Sequence, residues 1–515
     1  MPMPSFAPAR LALALATSLL VGLASAHAGP TATIDTGRIE GAAEGGSAAF
    51  RGIPFAAPPV GPLRWRPPQP AAPWRGVRQT VTYGPDCPQV PMTEVPGPGF
   101  TGPNGEDCLY LNVWTPLKHP AKPLPVMVWI YGGAFIMGAG SYPDYDGAHF
   151  AEKGVVLVTL NYRVGLFGFF AHPALTRESP NGPLGDYGYM DQIAALKWVQ
   201  RNIAAFGGDP SNVTIFGQSA GGVGVDTLLV SPMARGLFAK AISQSGGGRT
   251  RDMARLSDGP NSAEPRGKAW AVSVGVPSDD PAALRAIPYD VVLKAGFGPR
   301  LPGPIVDGKI VPEPVDEAMF DGRHAVVPFM VGSNSGEESL LRWLPDAATS
   351  YVKSMGLARD EGLRLFEADG LSASAAAAKL WGEALMVEPA RFVARHMSAA
   401  GAPTYLYHYA YVPLAKRGEA AGAPHGAEIN LIFANEGRVS MFGEGPADAA
   451  MADLMHDYWI AFARTGDPNG GGRPYWPRYS EASDKLLRFG DDGAAVVKDF
   501  DKARLDFLAG VAEAK

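Results

Sequence analysis

Short apolar and β-branched runs bounded by turn residues recur along the chain: Leu109 to Trp114, Pro125 to Tyr131, Val155 to Leu160, Val213 to Phe216 and Val326 to Val331. Continuous apolar runs of this length predict strands buried on both faces, as in a parallel sheet covered by helices. Between the third and fourth runs, Met190, Ile193, Leu196, Val199, Ile203 and Phe206 recur at helical spacing, and Gly207-Gly208-Asp209-Pro210 is expected to stop that helix. A further helix is expected from about Gly222. Strands alternating with helices predict an α/β protein with a large, mostly parallel central sheet flanked by helices.

The outer parts read differently. Thr31 to Phe50 suits a short antiparallel hairpin, and the proline-rich stretch from Arg51 through Pro62 reads as irregular, at an edge or over the surface, because proline cannot donate to a central ladder. Ala373 to Ala400 reads as helical and Thr404 to Tyr411 as a strand. Ala449 to Arg464 predicts an amphipathic helix whose stripe of Met451, Leu454, Met455, Tyr458, Trp459 and Phe462 is core rather than a cofactor box. The mixed segment Arg249 to Arg300 reads as part of a cap over the sheet. We therefore expect one large domain over 27–515, with cap-like insertions around 249–304 and 340–400.

Composition narrows the partners. With 515 residues, 46% of them hydrophobic, the chain can bury a large core. A net charge of −6 leaves no basic footprint for nucleic acid. At the start, Arg10 precedes the apolar run Leu11 to Leu23 and the small residues Ala24-Ser25-Ala26, the layout of a secretory signal peptide over 1–26, cut after Ala26 or, as second choice, Ala28. The apolar run is short for a bilayer span, so no stable membrane insertion is expected after cleavage. The expected location is outside the cell or in a periplasm. Cys87 and Cys108 are the 2 cysteines of the chain, an even pair in keeping with an oxidising compartment. Bonded, they would close a loop of roughly twenty residues and stabilise the fold by about 3 kcal/mol in the chain-entropy model; unbonded, they would be two buried thiols.

The stretch Val213-Thr214-Ile215-Phe216-Gly217-Gln218-Ser219-Ala220-Gly221-Gly222 carries the chemistry. A buried strand runs into G-x-S-x-G, the pattern that places a serine on a strained turn between strand and helix, where flanking glycines permit close packing. A serine hydroxyl is a weak nucleophile and needs a base, which in turn needs an orienting acid. Five histidines follow Ser219: His324, His396, His408, His425 and His456. His425 lies in the turn Ala423-Pro424-His425-Gly426-Ala427-Glu428, whereas the other four read as structural. For the acid, Glu337 follows the strand Val326 to Val331 through small residues, with its neighbour Glu338 as the alternative. Gly132 and Gly133 follow another strand and, with Ala220, offer backbone N–H donors for an oxyanion.

These residues, together with Phe50-Arg51-Gly52-Ile53-Pro54-Phe55, Glu106 to Asn112, Asn161-Tyr162-Arg163-Val164-Gly165, Asp191 to Gly222, Ser243-Gln244-Ser245-Gly246 and Thr465-Gly466-Asp467-Pro468-Asn469, closely resemble the type-B carboxylesterases, a group of the α/β-hydrolase fold that includes bacterial para-nitrobenzyl esterases. The resemblance implies Ser219, Glu337 and His425 as a triad, Gly132, Gly133 and Ala220 as the oxyanion hole, and Cys87 to Cys108 as the family's first disulfide. It implies hydrolysis of small-molecule carboxylic esters through an acyl-enzyme, without cofactor or metal. Two departures stand out. The family usually has Asp-Glu-Gly at the acid, where this chain has Gly336-Glu337-Glu338. Cholinesterases carry a glutamate before the serine and an aromatic cation site in the disulfide loop; this chain has Gln218, and neither Trp nor Tyr between the cysteines, which argues against quaternary ammonium substrates.

Other readings remain open on sequence grounds: a non-catalytic binding or adhesion member of the same fold, or a hydrolase of amide, thioester or lactone bonds. Arg249, Arg251 and Arg255 read as solvated surface charge or as a receptor for an acidic substrate. A monomer is the default.

Overall fold

The computed structural model describes residues 1, 29–90, 103–118, 121–250, 252–258, 262–277, 279–295, 302–418, 422–435 and 449–514. The signal-peptide segment after Met1, residues 91–102 of the disulfide loop, and Arg251 lie outside them.

Among the described residues, an 11-stranded sheet organises the fold. Its strands are β1 (Ala42–Glu44), β2 (Ser47–Pro54), β3 (Tyr110–Pro116), β4 (Leu124–Ile130), β5 (Val156–Leu160), β6 (Gly208–Gln218), β7 (Lys240–Gln244), β8 (Phe329–Asn334), β9 (Thr404–Tyr409), β10 (Lys485–Gly490) and β11 (Gly493–Lys498). In space they run β1-β2-β3-β5-β4-β6-β7-β8-β9-β10-β11. The stretch from β5 to β10 is parallel throughout. Antiparallel pairs close both ends. The central strands β4, β6, β7 and β8 are almost wholly buried, which is why their sequences are continuous rather than alternating.

Helix α1 (Tyr187–Asn202) precedes β6, and α2 (Ala220–Val230) follows it directly. Helix α2 packs on β6 and β7, α3 (Glu388–Ala399) on β8 and β9, and α4 (Ala449–Thr465) on β4 and β6. Within 249–304 lie the helices Ala263–Ser273, Pro281–Arg285 and Tyr289–Ala295. Farther on, Ala347–Ser354, Arg359–Glu367 and Ala373–Gly382 share a separate small core with the last helix, Lys502–Glu513, through Val352, Phe366, Leu380, Leu505 and Leu508. No helix among the described residues is long and apolar enough to cross a membrane.

Three local expectations need correction. Arg51 to Pro54 is not irregular: it ends β2, paired with β3 on one side and past the reach of β1 on the other, with Phe50 and Ile53 buried and a register shift between them. Gly52, at φ +69°, absorbs that shift, and Pro54 is tolerated as the last residue of the strand. Gly207, at φ 79°, does end the helical stretch as cap of the turn Ile203–Phe206, but Gly208-Asp209-Pro210 already starts β6. Strand β8 begins at Phe329, not Val326, whose side chain is 57% exposed; Pro328 supplies no N–H for an earlier ladder.

Cys87 and Cys108 are joined in a disulfide, both fully buried. The motif residues Arg163 and Asp191 form a buried fork: Asp191 Oδ2 accepts from the Arg163 backbone N–H and Nε, and Oδ1 accepts from Nη2 at 2.8 Å. That pair ties the loop after β5 to α1.

Candidate active site

Strand β6 delivers Gln218 to the sheet's carboxyl edge, and α2 starts at Ala220, two residues earlier than its sequence suggests. Ser219 makes the whole reversal alone, at φ 56°, ψ −125°. A non-glycine residue in this region costs about 1–3 kcal/mol and persists only where its surroundings impose it. Those surroundings are glycines: a Cβ on Gly217 would sit 2.5 Å from Gly221 O, and one on Gly222 would sit 2.7 Å from Gly246 Cα. The Ser219 N–H donates to Gln244 O at 2.9 Å.

Strand β8 ends at Asn334, and the chain turns through Ser335 and Gly336 to Glu337. Glu337 is 1% exposed, and Oε1 accepts from the Asn334 N–H at 2.7 Å and the Ser245 hydroxyl at 2.6 Å. Its Oε2 lies 2.5 Å from His425 Nδ1. Glu338 points elsewhere, 3.8 Å from Lys379 Nζ. Ser339 accepts from the His425 backbone N–H at 2.9 Å, and Gly336 N–H donates to Ala423 O at 2.8 Å, so the acid turn and the histidine turn are laced together. On its other side, His425 Nε2 meets the Gln218 side-chain nitrogen at 3.1 Å. Ser219 is half-buried, while His425 and Glu337 are closed off from solvent.

After β4, Gly132 and Gly133 run past the elbow. A Cβ on Gly132 would lie 2.6 Å from Gln218 O and 3.0 Å from Ser219 Cβ, and Gly133 is at φ +116°. Only glycine lets the backbone approach the serine this closely. Among the described residues, the N–H groups of Gly132 and Gly133 make no backbone hydrogen bond outside strands and helices. Ala220 N–H opens α2 and has no intrahelical acceptor. These donors stand where charge on a carbonyl oxygen above Ser219 could be received.

Sequence reasoning missed the supporting layer. Glu428, fully buried three residues after His425, accepts from Asn334 Nδ2 at 2.6 Å and from Gln244 Nε2 at 3.3 Å. Burial, and then the neighbouring Glu337 charge, push its carboxyl above the usual range. Ser245, at φ 47°, and Asn334 were not separable from the surrounding motif residues, because nothing local marks them as partners of Glu337.

The remaining histidines after Ser219 are elsewhere. His396 and His456 hydrogen-bond backbone carbonyls of Phe392 and Ile432, His408 packs on Phe500, and His324 is buried without a ring partner among the described residues. Arg249 is held by Glu388 at 2.5 and 2.7 Å and lies over Phe392, while Arg255 is 3.9 Å from Glu317. No group of three or more His, Cys, Asp or Glu among the described residues is arranged to hold a metal ion.

The model of the carboxylesterase family matches residues 28–355 and 364–508. The chain is 38% identical over 479 residues to a fumonisin B1 esterase of Sphingopyxis macrogoltabida, covering 88% of this chain and 85% of that one. It is 35% identical over 480 residues to a para-nitrobenzyl esterase of Bacillus subtilis, covering 88% and 94%. A solved PNB esterase structure superposes with a TM-score of 0.80 at 33% identity, covering 93% of this chain and 99% of that one.

Proposed function

The chain belongs to the carboxylesterase family and hydrolyses carboxylic esters, and we propose that Ser219, His425 and Glu337 carry out that reaction. Ser219 Oγ attacks the ester carbonyl while His425 Nε2 takes its proton. Charge on the tetrahedral oxygen is received by the N–H groups of Gly132, Gly133 and Ala220. His425 then returns the proton to the leaving alcohol, and a water activated by the same nitrogen releases the acyl group from Ser219. Glu337 orients the ring and stabilises its charged form without taking the proton. The observation that carries this reading is the 2.5 Å contact of a buried carboxylate with the imidazole of a turn histidine, on the sheet edge where the strained serine sits. Ser219→Ala is expected to abolish turnover of a short-chain aryl ester, a loss on the order of 10³-fold or more in kcat, with the thermal transition retained. Esterase activity near that of the parent in the folded variant would discard the assignment.

Neutral esters fit better than choline-like ones, because Gln218 brings no negative charge to the elbow and the described part of the disulfide loop brings no Trp or Tyr. The names of the relatives point to esters as unlike as fumonisin B1 and para-nitrobenzyl compounds. A panel spanning both is the direct screen of acyl and alcohol size.

We also propose that residues 1–26 are an export signal and that the mature enzyme works outside the cytoplasm. The basic residue, apolar run and small residues of the leader support this, as does a formed disulfide. Mass and N-terminal sequencing of the protein exported by a bacterial host should give a chain beginning at His27. A chain retained in the cytoplasm with Met1 intact would refute it.

A further inference from the structure

Gln218 stands directly before Ser219, 1% exposed, with its amide 3.1 Å from His425 Nε2. The other ring nitrogen faces the Glu337 carboxylate. A carboxylate only accepts, so Nδ1 carries the ring proton and Nε2 presents a lone pair. What faces that lone pair must donate, and it is the amide nitrogen of Gln218. The amide oxygen lies on the opposite side, 3.1 Å from where a Cβ of Gly132 would stand.

This inference rests on the triad assignment and deepens it. We propose that Gln218 is a positioning residue that holds His425 in its neutral form, its N–H resting on the single Nε2 lone pair until the Ser219 hydroxyl displaces it. Its N–H bonds the ring in the form that accepts the serine proton. Once that proton is on Nε2, donor faces donor, and the bond cannot re-form until the proton leaves. The imidazolium is thereby urged to pass its proton on to the leaving alcohol. The other charged or titratable groups around the ring are Glu337 from the acid turn and Glu428 from the histidine's own loop, with Tyr407 of β9 behind both. Of the groups touching the ring, Glu337 lies on Nδ1 and Gln218 on Nε2.

The test is the acidic limb of kcat/KM against pH, measured on the mature enzyme with a neutral aryl ester. Gln218→Glu should move that limb to higher pH by about one unit or more, because a carboxylate at this distance favours imidazolium. Gln218→Met, which keeps the shape but not the donor, should move it up by less. The pH dependence of covalent labelling by an organophosphonate should follow the same order. Limbs that coincide in the parent and Gln218→Glu, with Ser219→Ala inactive, would overturn the role of Gln218 and leave the triad standing. Activity in Ser219→Ala would overturn the triad itself. Should Gln218→Glu fail to fold, Gln218→Met decides, and an unmoved or lowered limb overturns the proposal.

Discussion

His408 and His425 are 6% and 3% exposed, yet they have opposite surroundings. His408 sits in β9 with its ring centroid 4.4 Å from that of Phe500, its Nδ1 without a partner among the described residues. Burial, aided by the positive charges of Lys379 and Arg488, pushes it down to about 3, so it is a neutral core side chain. His425 has a carboxylate on one nitrogen and an amide on the other. Burial alone makes an imidazole inert. A buried acid aimed at Nδ1 makes the same group able to cycle between charge states, because the imidazolium then has a counter-charge in a medium that screens it poorly.

The contrast can be broken most severely by exchanging each ring for glutamine. His425→Gln should lower kcat by ~10³-fold or more, whereas His408→Gln should stay within roughly 3-fold in ester turnover. Comparable losses would mean that the two sites are not functionally distinct. Next in size is the choice of acid. Glu337→Gln should cost about 10²–10⁴-fold in kcat, with Glu338→Gln within roughly 3-fold; equal mild losses would show that neither carboxyl holds the base.

The smallest effect concerns stability. The folded His408 is held at about 3, below its ordinary 6.5, so between those pH values the unfolded chain binds the extra proton and stability falls as pH drops through that window. His408→Phe should flatten the acid side of the denaturation midpoint by up to about one proton of linkage, with turnover near the parent's. An unchanged slope would remove His408 from the acid sensitivity of the fold.

Much of the architecture was legible because its causes are local. Continuous apolar runs marked the buried parallel strands, and glycines flanking Ser219 marked a turn that other residues could not make. The disulfide was legible because the chain has only the two cysteines that form it. Boundaries were less legible where proline interacts with its ladder: Pro54 could end β2 because β1 pairs only Ser47 to Ala49 and no strand of the sheet borders Pro54 on that side among the described residues, and Pro328 delayed β8 by three residues.

Local residue order alone places a strained serine at the end of a buried strand, with glycine-lined backbone before it and a turn histidine long after it. Tertiary structure decided which glutamate meets that histidine, since Glu337 and Glu338 differ by one residue and only the docking of Asn334, Ser245 and the His425 turn selects between them. It also decided that Gln218 touches His425, a contact across 207 residues of chain. Steric demands of a turn are written in neighbouring residues, whereas a hydrogen bond between distant segments depends on how the whole sheet brings their ends together.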